Sequence, residues 1–463
     1  MAASKRPISH HLHLLPTKKS ALEARAVLED NFLNPQITTL SIRASLEEVD
    51  MNILPSWDVE LEDYEDPELY GDGSDHDIQL NGELNPAFKE LLNDIGLFRN
   101  LRRVELTHDS VVEVDADTGK IRETTEYRDI FFEKFLLALN NPEHPAEHVH
   151  SLSICHLQEA TNHDLLTSAV FEAVLSRLDS LELCIAVEEQ GWGSEHEIEL
   201  PGRQVFFGRD LQQYWLAPLQ HQLKHLKIYS NCMWGYLPKC DLRGLHFPHL
   251  NSLALGNMTF THDWQLDWII SHGATLEALT LDDCPIIHQA MVRDAQDSER
   301  YIHFNDTEGL LWHGKAPAYW IYEARWYDYL PKLKRGLPHL RRFGFDRGPW
   351  SFNYGGENAS EPFGTAASLP ARLTRSRYGV FHSGVLPSQW LEAEDCLHET
   401  NYEKITVYEG QYGYELNGDP GPPALFPDCW EEDQEALDEL LAAVESRRPK
   451  DEREGKQSLK EAF

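Results

Sequence analysis

Apolar residues recur along this chain in one short frame, apolar-x-x-apolar-x-apolar, with polar or small residues between them. The frame reads Ile37-x-x-Leu40-x-Ile42, Leu101-x-x-Val104-x-Leu106, Val149-x-x-Leu152-x-Ile154 and Leu178-x-x-Leu181-x-Leu183. It continues as Leu223-x-x-Leu226-x-Ile228, Leu250-x-x-Leu253-x-Leu255, Leu276-x-x-Leu279-x-Leu281, Leu340-x-x-Phe343-x-Phe345 and Tyr402-x-x-Ile405-x-Val407. Its last two apolar positions alternate with their neighbours, which predicts a short strand with one inward face. So short a frame also arises by chance in about one window in sixty. The spacing is therefore the stronger signal: the frames ending at Ile228, Leu255 and Leu281 lie 27 and 26 residues apart, within the leucine-rich-repeat period of roughly 20–29. Two frames extend further, to Leu276-x-x-Leu279-x-Leu281-x-x-Cys284-x-Ile286 and Leu223-x-x-Leu226-x-Ile228-x-x-Asn231-x-Met233. There the Cys or Asn is placed to satisfy backbone groups inside a turn.

Helical patches fall between frames, at Ile130–Leu139 and Leu165–Leu175, and their apolar spacing suits helices packed outside a sheet. A third helix is predicted from Glu431 to Val444, acidic at its start and followed by Arg447-Arg448, as the helix dipole prefers. Longer intervals of 64, 64 and 62 residues end at Leu106, Phe345 and Val407 and leave room for degenerate repeats or insertions. Asp58–Asp77 carries ten acidic residues and no Lys or Arg, which reads as a solvated loop. Pro349–Pro370 reads as a second irregular loop. The expected fold class is α/β: an irregular leucine-rich-repeat-like solenoid with a curved, mainly parallel sheet and outer helices. It would span residues 37–448, after an N-terminal segment 1–36 and before a charged tail 449–463. Ile42, Leu106, Ile154, Leu183, Ile228, Leu255, Leu281 and Phe345 should then lie on neighbouring strands of one sheet.

Composition narrows the function. Among 463 residues, 41 basic and 77 acidic side chains leave a formal charge of −36, which disfavours nucleic acid and anionic membranes as partners. The sequence contains no run of about 18 apolar residues and its first twenty residues hold no apolar signal region. Seven scattered cysteines, with no C-x-x-C pair, read as reduced thiols of the cytoplasm or nucleus.

Catalytic and metal signatures are weak. His10-His11-x-His13 is the densest histidine cluster, but it lies in a segment expected to be mobile. No H-E-x-x-H, G-x-S-x-G, Walker or G-x-G-x-x-G motif occurs. Asp115-Ala-Asp117-Thr-Gly119-Lys120 departs from a calcium loop and reads as the turn of a hairpin from Val111 to Glu123. Cys155-His156 and Cys396-x-His398 are neighbours in sequence, and Cys155 and Cys284 sit where buried structural thiols are expected. No catalytic residue, metal or cofactor is expected.

One stretch differs from the rest in composition. Between Trp312 and Tyr354, twelve aromatic residues accompany Lys332, Lys334, Arg335, Arg341, Arg342 and Arg347. Aromatic and Arg side chains supply most interface hot spots, so Trp320, Trp326, Arg341 and Arg342 are the candidate partner-binding residues. The competing reading is an inserted helix, Ala318–Leu333, docked by its aromatic rings.

Phe247-Pro-His-Leu-Asn-Ser-Leu-Ala-Leu-Gly-Asn-Met258, Trp268–Pro285 and Asp433–Leu441 together resemble the divergent F-box and leucine-rich-repeat proteins of filamentous fungi. The resemblance covers the repeat part, roughly Ile37–Arg448. It implies a repeat surface that selects a protein substrate for a cullin-type ubiquitin ligase. The F-box that would bind a Skp-type adaptor is not recognisable, because about twenty residues around Leu14-Leu15-Pro16 are too few for its three helices, so no adaptor binding is expected through residues 1–36. The expected function is a non-enzymatic protein-binding module. The alternative is an enzyme whose site gathers dispersed His, Asp and Glu residues.

Overall fold

A computed structural model describes residues 10–44, 84–108, 125–159, 162–186, 201–292, 296–302, 304–305, 309–310, 318–348, 369–383, 388–392 and 426–449. The acidic segment 58–77, the hairpin 111–123, most of 349–370, the frame at Tyr402 and the tail from 450 lie outside the described residues. The protein is α/β, with a parallel sheet of nine strands and helices. The chain divides into two compact units: Met1–Leu157, Thr161–Leu181 and Glu188–Gly191, and then Gln158–Ala160, Glu182–Val187 and Trp192–Phe463.

The first unit begins with β1 (His11–Leu14), α1 (Lys18–Glu29) and β2 (Thr39–Arg43). After α2 (Pro86–Asn93) come β3 (Arg103–Thr107), α3 (Thr125–Leu139) and β4 (Ser151–Gln158). Two short helices follow, α4 (His163–Leu166) and α5 (Ala169–Leu175), leading into β5 (Ser180–Ala186). Local chemistry starts these helices: the Thr17 side chain accepts from Ser20 N at 3.2 Å, Asn85 caps α2 ahead of Pro86, and Ser168 caps α5. The parallel register aligns Leu14, Ile42, Leu106 and Ile154 in one row, with Leu40, Val104 and Leu152 in the next. Their burial is essentially complete from β2 onward. β1 departs from the sequence expectation. His11–Leu14 is a sheet strand, one element earlier than Ile37, and it was missed because its two leucines alternate with histidines and lack the leading apolar position.

The second unit continues with α6 (Pro201–Val205), a π-helix (Phe206–Leu216), β6 (His225–Ser230), β7 (Ser252–Gly256), α7 (Asp263–Ile270) and β8 (Ala278–Asp282). Ile228, Leu255, Leu281 and Phe345 form its aliphatic row, Phe345 coming from β13 (Arg342–Asp346). A four-stranded mixed sheet then joins β12 (Ala318–Ile321), β9 (Ile286–Val292), β14 (Tyr378–Ser383) and β15 (Ser388–Glu392). The short pair β10 (Phe304–Asn305) and β11 (Gly309–Leu310) is antiparallel. The expected helix Ala318–Leu333 is instead strand β12 followed by α8 (Trp326–Gly336). Ala-Tyr-Trp-Ile favours a pleated surface and pairs with β9, while Asp328 accepts from Arg325 N at 3.0 Å and starts the helix four residues later. Helix α9 (Trp430–Arg447) packs on α8.

One further repeat is visible in the backbone. Counting the first apolar residue of a frame as zero, position 7 takes positive φ in three frames, at His156, Asn257 and Asp283, with φ of 57°, 59° and 49°. Asn, Asp and His are the side-chain types that tolerate this left-handed turn best. Asn257 Nδ2 donates to Ser230 O at 2.6 Å, and the His156 ring meets His108 O at 3.0 Å; Ser230 and His108 are position 7 of the preceding frames. Within each unit, therefore, a side chain at position 7 bonds the carbonyl of the same position one frame earlier. At position 8, the Cys284 thiol donates to Leu255 O at 3.4 Å, inside the turn.

Candidate functional site

The faces opposite the aliphatic rows differ between the units. In the first unit they are polar and half-exposed on β2 and β3, and buried on β4 beyond Ser151, at Ser153 and Cys155. Thr39, Ser41 and Arg43 of β2 and Arg103, Glu105 and Thr107 of β3 all retain solvent contact, and His13 of β1 is exposed. These side chains are organised by one another. The His11 Nε2 lies 2.5 Å from Ser41 Oγ, and the Ser41 hydroxyl donates to Glu105 Oε2. Arg103 Nε donates to Glu105 Oε1 at 2.7 Å and its Nη1 reaches Ser151 Oγ at 3.1 Å.

Burial pushes Glu105 up, but hydrogen bonds from Ser41 and Arg103, with the charges of Arg103 and His11, prevail and hold it below its ordinary value. Burial and His13 lower His11 despite the nearby Glu105 carboxylate. A neutral His11 donating from Nε2 to Ser41, whose own proton goes to Glu105, is not a base poised to activate that serine. The row is a fixed set of donors and acceptors with both signs of charge. It suits recognition more than bond making.

In the second unit the corresponding face is buried. Tyr229, Gly256, Asp282 and Asp346 form one cross-strand row, and Lys227 lies 4.9 Å from the Tyr229 ring centre. Tyr229 lies across β7 because Gly256 has no side chain: a Cβ there would meet the ring at 2.4 Å. Its hydroxyl bonds Asp282, whose Oδ1 also accepts from Gly348 N at 2.6 Å. Burial raises both Tyr229 and Asp282 above their ordinary values. Lys227, Tyr229, Asp282 and Asp346 are each less than a tenth exposed. The strand face opposite the aliphatic row is thus open on β1 to β3 and filled in the second unit.

The four candidate residues from the aromatic stretch separate into two classes. Trp320, 8 % exposed, packs on Tyr236 at 5.5 Å in a core with Tyr301 and Phe381. Trp326 is fully buried against Phe260, Tyr329 and Phe345, and its Nε1 donates to Arg377 O at 2.8 Å. Both are core anchors, which corrects their reading as a partner surface. Composition alone cannot distinguish aromatic rings gathered for an interface from rings gathered for a second core. Arg341 pairs with Glu277 at 3.3 Å and Arg342 is exposed at the start of β13. Much of the basic island is matched internally, by Lys334–Glu439 at 3.0 Å and Arg347–Asp283 at 3.5 Å.

Among the described residues no group of three His, Cys, Asp or Glu is placed to hold a metal, and no helix is long and apolar enough to cross a membrane. Cys155, Cys184, Cys232, Cys240, Cys284 and Cys429 are buried thiols; Cys396 lies outside the described residues. The sequence does carry a signal for the open row: the strand positions between the apolar residues are Thr, Ser, Arg and Glu in β2 and β3, but Ala, Gly and Thr dominate in β7 and β8. Compared with protein-family models, curated proteins and solved structures, the chain matches none.

Proposed function

We propose that this chain is a non-enzymatic protein-binding module built as an irregular leucine-rich-repeat-like solenoid, whose contact surface is the polar strand face of the first unit. The observation that carries this is the row His11–Ser41–Glu105–Arg103–Ser151, ordered by mutual hydrogen bonds yet still open to solvent. Three features support the repeat reading. Within each unit, parallel strands follow one another in chain order. Parallel crossovers are almost always right-handed, so an unreversed order puts successive helices on one face and leaves the other for binding; α1, α2, α3 and α5 indeed pack in sequence. The position-7 bond recurs in both units.

The resemblance to the substrate-recognition part of an F-box receptor fits this reading. Residues 11–29 form β1 and α1, a strand and helix of the first unit, which supports contact through the sheet face and not through an adaptor-binding helical module.

Partner capture should weaken about 30-fold, or ~2 kcal/mol, on Arg103→Glu if Arg103 is a hot spot. Stability should change little, because the site is half-exposed. Affinity purification with quantitative mass spectrometry, set beside a melting curve, checks both. Retention of every partner by the Arg103→Glu protein would remove the first unit's face from the account.

A further inference from the structure

We propose that the strand-entry edge of the first unit binds a phosphate-class oxyanion between Arg102 and Arg177. The site lies apart from the open strand face, and it stands whether or not that face holds a partner. Arg102 immediately precedes β3, His150 immediately precedes β4, and Arg177 lies between α5 and β5. Backbone bonds set their order along the edge. His150 N donates to Arg102 O at 3.0 Å, and Asp179 N donates to His150 O at 2.9 Å. Side chains tie the same residues together: Arg102 Nη1 donates to His148 O at 3.3 Å, and His150 Nδ1 meets Arg177 O at 2.9 Å. His148 sits among these groups. Burial lowers its imidazole, and the charges of Arg102, Arg177 and His150 add to that effect against the hydrogen bond with Phe98 O.

Holding the edge together does not require these charges. Asn100 and Arg177 each stand just before the first apolar residue of a frame, and each donates to a backbone carbonyl. Asn100 Nδ2 reaches Pro35 O at 2.6 Å, and Arg177 Nη2 reaches Leu139 O at 2.9 Å. Asn141 Nδ2 serves Asn93 O in the same way at 2.7 Å. A neutral amide is enough for that bond, so the positive charge at Arg177 calls for a separate account.

Carboxylates do not supply one. Arg25 and Arg103 of this unit pair with Asp94 and Glu105 at 3.2 and 2.7 Å, whereas neither Arg102 nor Arg177 forms an ion pair among the described residues. Glu147 is exposed and acts on Arg177 through its charge alone. Arg177 Nε is enclosed and has no acceptor. A guanidinium that has lost water without gaining a carboxylate attracts an anion more strongly than a fully hydrated one. Arg102 is exposed, and with Nη1 turned to His148 O it keeps its Nε–Nη2 edge, a fork that matches two oxygens of a phosphate. A single compact dianion suits two such groups. An extended polyanion would instead meet a chain whose formal charge is −36.

Isothermal titration calorimetry of the full-length protein with inorganic phosphate should show saturable binding with a Kd of about 1 mM or below. Arg102→Gln keeps an amide donor for His148 O and should weaken phosphate binding about 10-fold, with little change in melting temperature. Arg25→Gln, at a guanidinium already matched by Asp94, should leave the Kd unchanged. A phosphoserine peptide titrated in parallel separates the sources of the ligand. Tighter binding than inorganic phosphate assigns the group to a partner chain, and equal or weaker binding assigns it to the free ion. The titration of the unaltered protein needs no variant, so it stands even if Arg102→Gln folds poorly. Heats that do not saturate overturn the proposal, as does a Kd that a folded Arg102→Gln protein leaves unchanged or that Arg25→Gln weakens equally.

Discussion

Replacing Trp326 by alanine should cost about 3–5 kcal/mol of stability, the range for a large aromatic removed from a core. The ring is wedged between Phe260, Tyr329 and Phe345, with centroid distances of 5.8, 5.7 and 4.6 Å. Its Nε1–H is also held by Arg377 O, and its backbone N donates to Tyr378 Oη at 2.9 Å. Truncation therefore leaves a cavity and a buried carbonyl without that donor. Arg342→Glu, at an exposed site on β13, should shift stability by only about 0.5 kcal/mol. Urea unfolding of the two variants separates a core anchor from a surface residue. Equal small effects would show that Trp326 is not the packing centre described above.

Asp433→Ala should be as severe, again about 3–5 kcal/mol, because it strips the partner from a buried charge. The Asp433 carboxylate is fully buried on α9. It accepts from Arg377 Nε at 2.8 Å, from Tyr378 Oη at 3.0 Å and from Tyr327 N at 2.9 Å. Without it, Arg377, only 8 % exposed, keeps a charge with no carboxylate. Arg447, at the other end of α9, donates to Leu337 O and Lys334 O, so one end of the helix stays fastened while the other is released. Limited proteolysis should then cut first near Trp430, with a lower urea midpoint. Trp326 and Asp433 share Arg377 and Tyr378, and the double variant should lose less than the sum of the singles. Intact resistance to protease in Asp433→Ala would contradict the node.

The strand row from Ile228 to Leu281 was legible because frames repeated 27 and 26 residues apart constrain both period and direction. Leu255 and Leu281, one period apart in that frame, pair side by side in the sheet. Helix α9 was legible for a similar reason, its acidic start and basic end marking both termini. The second sheet was not, since β14 joins β9 across about ninety residues of sequence and no local pattern announces that pairing. Nor does sequence order reveal that Tyr229 reaches over Gly256 to Asp282, which closes the second unit's strand face.

Photo-crosslinking tests the central claim most directly, with a photoreactive amino acid placed in turn at Ser41, Glu105 and Thr280. The first two lie on the open strand face and Thr280 on the filled one, where it is 8 % exposed. A position on the acidic face of α9, Gln434, serves as a general surface control. The account predicts one discrete adduct, the same protein from Ser41 and Glu105, and no such adduct from Thr280 or Gln434. Diffuse or absent adducts at Ser41 and Glu105, or an identical set of adducts at Gln434, would contradict it.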